Sequence, residues 1–190
     1  AGLGRRLGMP KALVDNGSGP WVVRSLAVLE ACDPRLVVIG ASAAQVAALI
    51  PADVQVVTNP DYQQGMGSSL RAGLTALTAQ SVVSVQNAEP PIDAALVMLV
   101  DLPGVGADVV DRVLAAAAAG GDVRSAVLRA GYEGRPGHPV ILGRDHWAGV
   151  AAAATGDRGA RDYLSAQAVR LVECADIGNG IDVDRPTGHG

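Results

Sequence analysis

Apolar residues in this chain fall into short runs separated by glycine and polar turns. "LVVIG" (36–40) is β-branched and closes on Gly, the pattern of a strand buried on both faces of a parallel sheet. "SAAQVAALI" (42–50) then reads as a helix capped by Ser42, and "VQVVT" (54–58) as a second strand. In "GSSLRAGLTALTA" (67–79), Leu70, Leu74 and Leu77 recur at helical spacing and define one apolar face. "AALVMLV" (94–100) is the most apolar strand segment. It leads into a helix over 107–119 with Val109, Val110, Val113, Leu114 and Ala117 on its buried side. Residues 81–93, which include Pro90-Pro91, lack periodicity and predict a surface loop. Further on, "SAVLRA" (125–130) and "HPVIL" (138–142) read as strands flanking the turn "GYEGRPG". "GDRGARDYL" (156–164) starts a helix, and "AVRLVEC" (168–174) closes the pattern with a strand.

Strand and helix alternate, which implies right-handed βαβ crossovers and a three-layer α/β/α sandwich with a mostly parallel sheet. No repeat and no linker interrupts the 190 residues, so a single domain over 1–190 is expected, long enough to bury roughly 70% of its unfolded surface. The core must be aliphatic, because the chain has no Phe, two Trp and three Tyr. Its 24 glycines favour tight strand–helix turns over a helical bundle. A net charge of −4 argues against nucleic acid as a partner, and no apolar run is long enough for a membrane span. Cys32 and Cys174 belong to no CxxC pattern and read as buried, reduced thiols of a cytoplasmic protein.

In open α/β sheets ligands meet the carboxyl ends of strands, which directs attention to a few segments. "AGLGRRLGMPK" (1–11) joins three glycines to Arg5, Arg6 and Lys11. It reads either as a basic tail or as a loop whose backbone N–H groups and cations suit a triphosphate. Asp101, in "MLVDLPGV", ends the most apolar strand and offers a hard oxygen ligand for Mg²⁺. Asp182 and Asp184, in "GIDVDRP", share one face of an extended segment and could add a second carboxylate, or be simply solvated. "NPDYQQGMGSSLRAG" (59–73) places Ser68 and Ser69 at a helix start, as a cap or as an anion-recognising surface. His138 and Arg161 stand beside glycine turns.

Taken in order, these segments resemble the molybdenum cofactor nucleotidyltransferases, and most of all their cytidylyltransferase branch. The loop AAGxGxRMGxPK of that family is matched by Ala1 to Lys11, and its N-P-x-(W/Y)-x-x-G-x-x-x-S segment by Asn59, Pro60, Tyr62, Gly65 and Ser69. Asp101 and Pro103 match the metal-binding strand end, and Gly137-His138-Pro139 the G-H-P turn. Gly156, Asp157, Gly159, Ala160 and Arg161 match G-D-x-G-A-R, and Asp182, Val183, Asp184 and Pro186 the closing D-I-D-x-P.

The resemblance implies a Rossmann-like fold of the nucleotide-diphospho-sugar transferase type, binding an NTP with Mg²⁺. The nucleotidyl group, CMP from CTP, would pass to the terminal phosphate of molybdopterin or molybdenum cofactor, with release of pyrophosphate. It assigns Ala1, Gly2, Leu3, Gly4, Lys11, Asn59, Gly65, Ser68 and Ser69 to the nucleotide. Lys11, Arg6 and Asp101 would serve catalysis, Asp101 with Asp184 or Asp182 the metal, and His138 and Arg161 the acceptor. A molybdoenzyme or its maturation chaperone would receive the product. Guanylyl transfer, transfer to another phosphorylated acceptor, and a non-catalytic pterin carrier are the alternatives. The family also leads one to expect a short apolar strand before Ala1, and it ends in a P-E-D where this chain has Pro186-Thr187-Gly188.

Overall fold

The computed structural model describes residues 8–183. After a 3₁₀ turn at Lys11–Leu13, α1 (Trp21–Ala27) leads to β1 (Leu36–Ile39), α2 (Ala43–Ala47) and β2 (Gln55–Thr58). A second 3₁₀ turn (Tyr62–Gln64) enters α3 (Met66–Gln86), followed by β3 (Ala94–Val97) and α4 (Ala107–Ala119). The chain then forms β4 (Val127–Tyr132), β5 (Arg135–Gly143), α5 (Trp147–Ala153), α6 (Arg161–Ser165) and β6 (Arg170–Glu173).

The strands form two groups. β1 and β2 pair in parallel, and β3, β5, β4 and β6 form a four-stranded sheet in that order. β5 runs antiparallel to both β3 and β4, while β4 and β6 are parallel, so the α/β class holds but the sheet is mixed rather than mostly parallel. The cause is the hairpin between β4 and β5. Glu133 (φ 53) and Gly134 (φ 74) occupy a two-residue turn with both residues left-handed, the geometry that matches strand twist.

Helices cover both faces. α4 lays Val109, Val113 and Ala117 on Leu128, Ala130 and Ile141, as its apolar spacing requires. On the opposite face, Leu74 of α3, Trp147 and Val150 of α5 and Leu164 of α6 meet Ala95, Val127, Val140 and Leu142, with Leu70 and Leu77 alongside. A third cluster packs Val22 and Leu26 of α1 and Val46 of α2 on Ile39 and Val54. Gly73 lets α3 approach Val38 and Leu36 of β1, so this helix underlies both strand groups. No described helix is long and apolar enough to cross a membrane.

Two local expectations are corrected. Residues 81–86 continue α3 instead of starting a loop: Ser81 is fully buried, and its Oγ accepts from Ile92 N (3.1 Å) and from an Arg144 guanidinium nitrogen. Ser42 does not cap α2. It sits at φ 53 and makes no side-chain cap bond, whereas a capping serine needs extended geometry. The helices α1 and α5 were not foreseen. Cys174 is buried and Cys32 half-buried, both thiols free and both shifted to higher pKa chiefly by burial.

Candidate functional site

Lys11 and Asp101 meet in the turn after β3, which ends at Val97, three residues short of the strand expected over 94–100. The 3₁₀ turn that carries Lys11 is closed by Leu13 N–H to Pro10 O (2.9 Å), and Ala12 and Leu13 pack against the α1–β1 cluster. Asp101 is held between two core anchors: Val100 packs on that same cluster, and Leu102 is buried under α4. With both backbones fixed in this way, Lys11 Nζ donates to Asp101 Oδ2 at 2.5 Å, with side chains only 24% and 14% exposed. Among the described residues Asp101 Oδ1 has no hydrogen-bond donor.

The C-terminal segment returns to the same turn. Val183 N–H donates to the Asp101 carbonyl (2.9 Å), and Asn179 N–H to Gly104 O (3.2 Å). Asp182, exposed, is thereby carried beside Asp101. Asp184 and the loop residues Ala1, Gly2, Leu3, Gly4 and Arg6 lie outside the described residues. Among the described residues no three His, Cys, Asp or Glu side chains converge to hold a metal.

The segment after β2 is organised around Asn59, which is 3% exposed. Its Nδ2 donates to Ser68 Oγ (2.8 Å) and Ser69 Oγ (3.0 Å), and its Oδ1 accepts from Asp61 N–H (2.9 Å). The Ser68 hydroxyl hydrogen is shared between the carbonyls of Asp61 (2.9 Å) and Gly65 (2.8 Å). Asn59 and Ser68 therefore face inward and hold the turn. Ser69 is half-buried, and among the described residues its own hydrogen has no acceptor.

Two segments far apart in sequence fit together here. A Cβ on Gly65 would lie 2.4 Å from the carbonyl carbon of Gly156, and one on Gly67 2.8 Å from that of Ala154. Arg71 donates to the Ala154 carbonyl, which fastens α3 to this loop. The start of α3 and residues 154–157 thus form one wall, and Gly65 also needs its φ of 100°.

A basic wall comes from the β4–β5 hairpin. Arg129, half-buried on β4, donates Nε–H to Gly137 O (3.0 Å), and Tyr132 donates its hydroxyl to His138 O (2.8 Å). Burial, reinforced by the neighbouring Arg129, drives the His138 imidazole down to about 4, while Asp101 pulls in the other direction. His138 is thus a neutral ring at neutral pH, in the fields of both Arg129 and Asp101. Burial and Arg161 likewise lower Arg129. Burial also pushes the Tyr132 phenol up to about 12. The sequence pattern singles out His138 and Arg161 as candidates and passes over Arg129. The available signal was a lone cation in the apolar strand "VLRAGY".

Residues 1–171 match the family model described as MobA-like NTP transferase domain, and the chain belongs to that family. Nicotine blue oxidoreductase of Paenarthrobacter nicotinovorans is 32% identical, over 97% of this chain and 88% of that protein. Among solved structures, a homolog of Mycobacterium tuberculosis rv0371c from Mycobacterium sp. strain JC1 superposes with a TM-score of 0.75 at 28% identity, covering 97% of this chain and 87% of the other. Rv0371C of M. tuberculosis H37Rv in complex with manganese gives 0.63 at 22% identity, over 88% and 83% of the two chains. Molybdopterin-guanine dinucleotide biosynthesis protein A of Archaeoglobus fulgidus gives 0.56 at 17%, over 92% and 80%. These last two likenesses speak to the fold.

Proposed function

We propose that this chain transfers a nucleotidyl group from an NTP, with CTP as the donor, to the terminal phosphate of molybdopterin or molybdenum cofactor. The observation that carries the reading is the 2.5 Å contact between Lys11 and Asp101, which joins a glycine-loop lysine to a strand-end carboxylate. Membership of the MobA-like NTP transferase family supports the transfer, and a fold shared with a molybdopterin-guanine dinucleotide biosynthesis protein supports the acceptor.

The reaction needs no covalent nucleophile. An acceptor phosphate oxygen forms a bond to the α-phosphorus of the NTP as the α–β P–O bond breaks, and pyrophosphate leaves with the electron pair. Lys11 is placed to donate to phosphoryl oxygens, steered by Asp101, and so to stabilise charge on the leaving group. Ser69 offers its hydroxyl hydrogen to the nucleotide, while Asn59 and Ser68 hold the turn beneath it. His138, being neutral, contributes a hydrogen bond on the acceptor side and no charge.

The donor set suits a hard divalent cation that takes most of its ligands from phosphate and water, because among the described residues one partly buried carboxylate oxygen of Asp101 has no donor. Asp101, with Asp182 or Asp184, would hold Mg²⁺, which supplies charge neutralisation at the phosphoryl oxygens when bound. The manganese complex of a protein sharing this fold agrees with such a site.

A second reading follows from the relative named nicotine blue oxidoreductase: a dinucleotide pyrophosphate could occupy the same loop, and hydride transfer would replace nucleotidyl transfer. One experiment separates them. Purified protein with Mg²⁺ and molybdopterin is given each NTP in turn, with pyrophosphate release and product mass followed, and NADH or NADPH oxidation by a quinonoid dye is run in parallel. Pyrophosphate release with CTP and a cytidylylated pterin supports the proposal. Release with GTP alone moves it to guanylyl transfer, and dye reduction without any release overturns it.

A further inference from the structure

Arg129 is the one charged side chain of β4, and among the described residues no carboxylate pairs with it. Val127, two positions before it, and Val140, opposite it in the β4–β5 register, belong to the cluster that also holds Ala160, just before Arg161, and Leu164, one helical turn after it. That shared cluster brings Arg161, at the start of α6, to the same sheet face as Arg129. The register of β4 against β5 shifts between Arg129 and Gly131, an irregularity of the kind that re-aims a side chain.

The Nε–H bond to Gly137 O fixes the guanidinium plane, and among the described residues the two terminal nitrogens of Arg129 have no acceptor. No carboxylate pairs with Arg129 or Arg161 among the described residues. Half-buried Arg129 and the exposed Arg161 repel one another, and an anion between them removes that cost. A guanidinium with its terminal N–H groups turned outward favours the bidentate geometry of a phosphate. His138, next to the Gly137 whose carbonyl accepts from Arg129, lies in the electrostatic fields of both Arg129 and Asp101.

We infer that Arg129 and Arg161 together clamp a phosphomonoester dianion of the acceptor, with Arg129 selecting for that charge. The identity of the anion rests on the transfer reading above; the anion position itself does not. Arg129 is not part of the Lys11–Asp101 pair, so its loss is felt by the acceptor and not by the NTP.

The test uses the whole chain with Arg129→Gln, Arg129→Lys and Arg161→Gln, folding being checked by circular dichroism. For Arg129→Gln the KM for molybdopterin rises about 10- to 100-fold while the KM for CTP stays within twofold, and Arg129→Lys recovers part of the loss. Independently of turnover, inorganic phosphate is titrated into protein labelled with ¹⁵N-arginine. The Arg129 Nε–H signal, assigned by its disappearance in Arg129→Lys, shifts with phosphate in the wild-type chain and less in Arg161→Gln. If no NTP is turned over yet the signal shifts, the transfer reading falls and the anion clamp stands. Turnover with an unchanged acceptor KM in Arg129→Gln, a shift in the CTP KM instead, or an Arg129 signal indifferent to phosphate overturns the clamp.

Discussion

Lys11 and Asp101 lie ninety positions apart in the chain and meet through a single 2.5 Å contact between ammonium and carboxylate. The pair is partly buried rather than part of the core, with Ala12, Leu13 and Val100 packed against the α1–β1 cluster and Leu102 buried under α4. The pair is therefore positioned by the core while its side chains stay partly exposed. Removing Asp101 should cost function far more than fold. We expect Asp101→Ala to lower turnover about 10³-fold or more, with the unfolding midpoint in urea close to that of the wild type. A turnover rate in Asp101→Ala equal to wild type would take Asp101 out of the mechanism.

His138 gives the site a pH signature. Its folded pKa, near 4, lies below the unfolded value of about 6.5, so the unfolded chain binds the proton more readily between those limits. Stability from the neutral ring is fully present above pH 6.5 and is lost as pH falls toward 4, by at most about 3 kcal/mol. In His138→Gln this part of the acid-side loss should vanish. Urea unfolding of both proteins at pH 7.5 and pH 4.5 measures it, and equal pH dependence in the two would remove His138 as the source.

Much of the architecture was readable because β4, β5 and α4 carry their burial in their pattern, whereas β1, expected to be buried on both faces, is fully buried only at Ile39. Val109, Val110 and Val113 are fully buried, as their spacing required. The end of α3 was not readable because its pattern is inverted: Ser81 is buried while Val82, Val83 and Val85 are 49%, 52% and 58% exposed. A serine satisfied by Arg144 and Ile92 N–H costs little to bury, but no hydrophobic periodicity announces it. The antiparallel course of β5 was hidden for another reason, since an apolar run has no direction. At the site, Asp101 and the Asn59–Ser69 turn stood out by their places after strands, and His138 by its glycine turn. Arg129 did not, because the clamp proposed for it needs Arg161, thirty-two positions away, which no local pattern links to β4.

Gly67 tests the wall formed by the start of α3 and residues 154–157. Its Cα lies against backbone, with a new Cβ only 2.8 Å from Ala154 C and Thr155 N, atoms that cannot swing aside. Gly67→Ala should destabilise the chain by about 1–3 kcal/mol and weaken nucleotide binding, as the two segments are forced apart. Gly121→Ala meets no neighbour and serves as the contrast, limited to the cost of its left-handed φ. Equal midpoints for Gly67→Ala and wild type in urea unfolding would mean that the wall yields freely.

Asn59 and Ser69 make two separable contributions to the same turn. Asn59→Ala removes both Nδ2 bonds and leaves the Asp61 N–H without its acceptor, in a position 3% exposed. A loss of about 1–3 kcal/mol in stability is expected, and nucleotide affinity should fall with it. Ser69 gives the turn only an acceptor for one of those bonds, whereas its hydrogen is uncommitted among the described residues. Ser69→Ala should then leave the unfolding midpoint nearly unchanged and raise the KM for the NTP by about 3- to 10-fold, the usual range for one neutral hydrogen bond. Measuring stability and KM on both variants distinguishes holding the turn from touching the nucleotide. If Ser69→Ala shifts stability as much as Asn59→Ala and leaves the KM alone, Ser69 belongs to the scaffold.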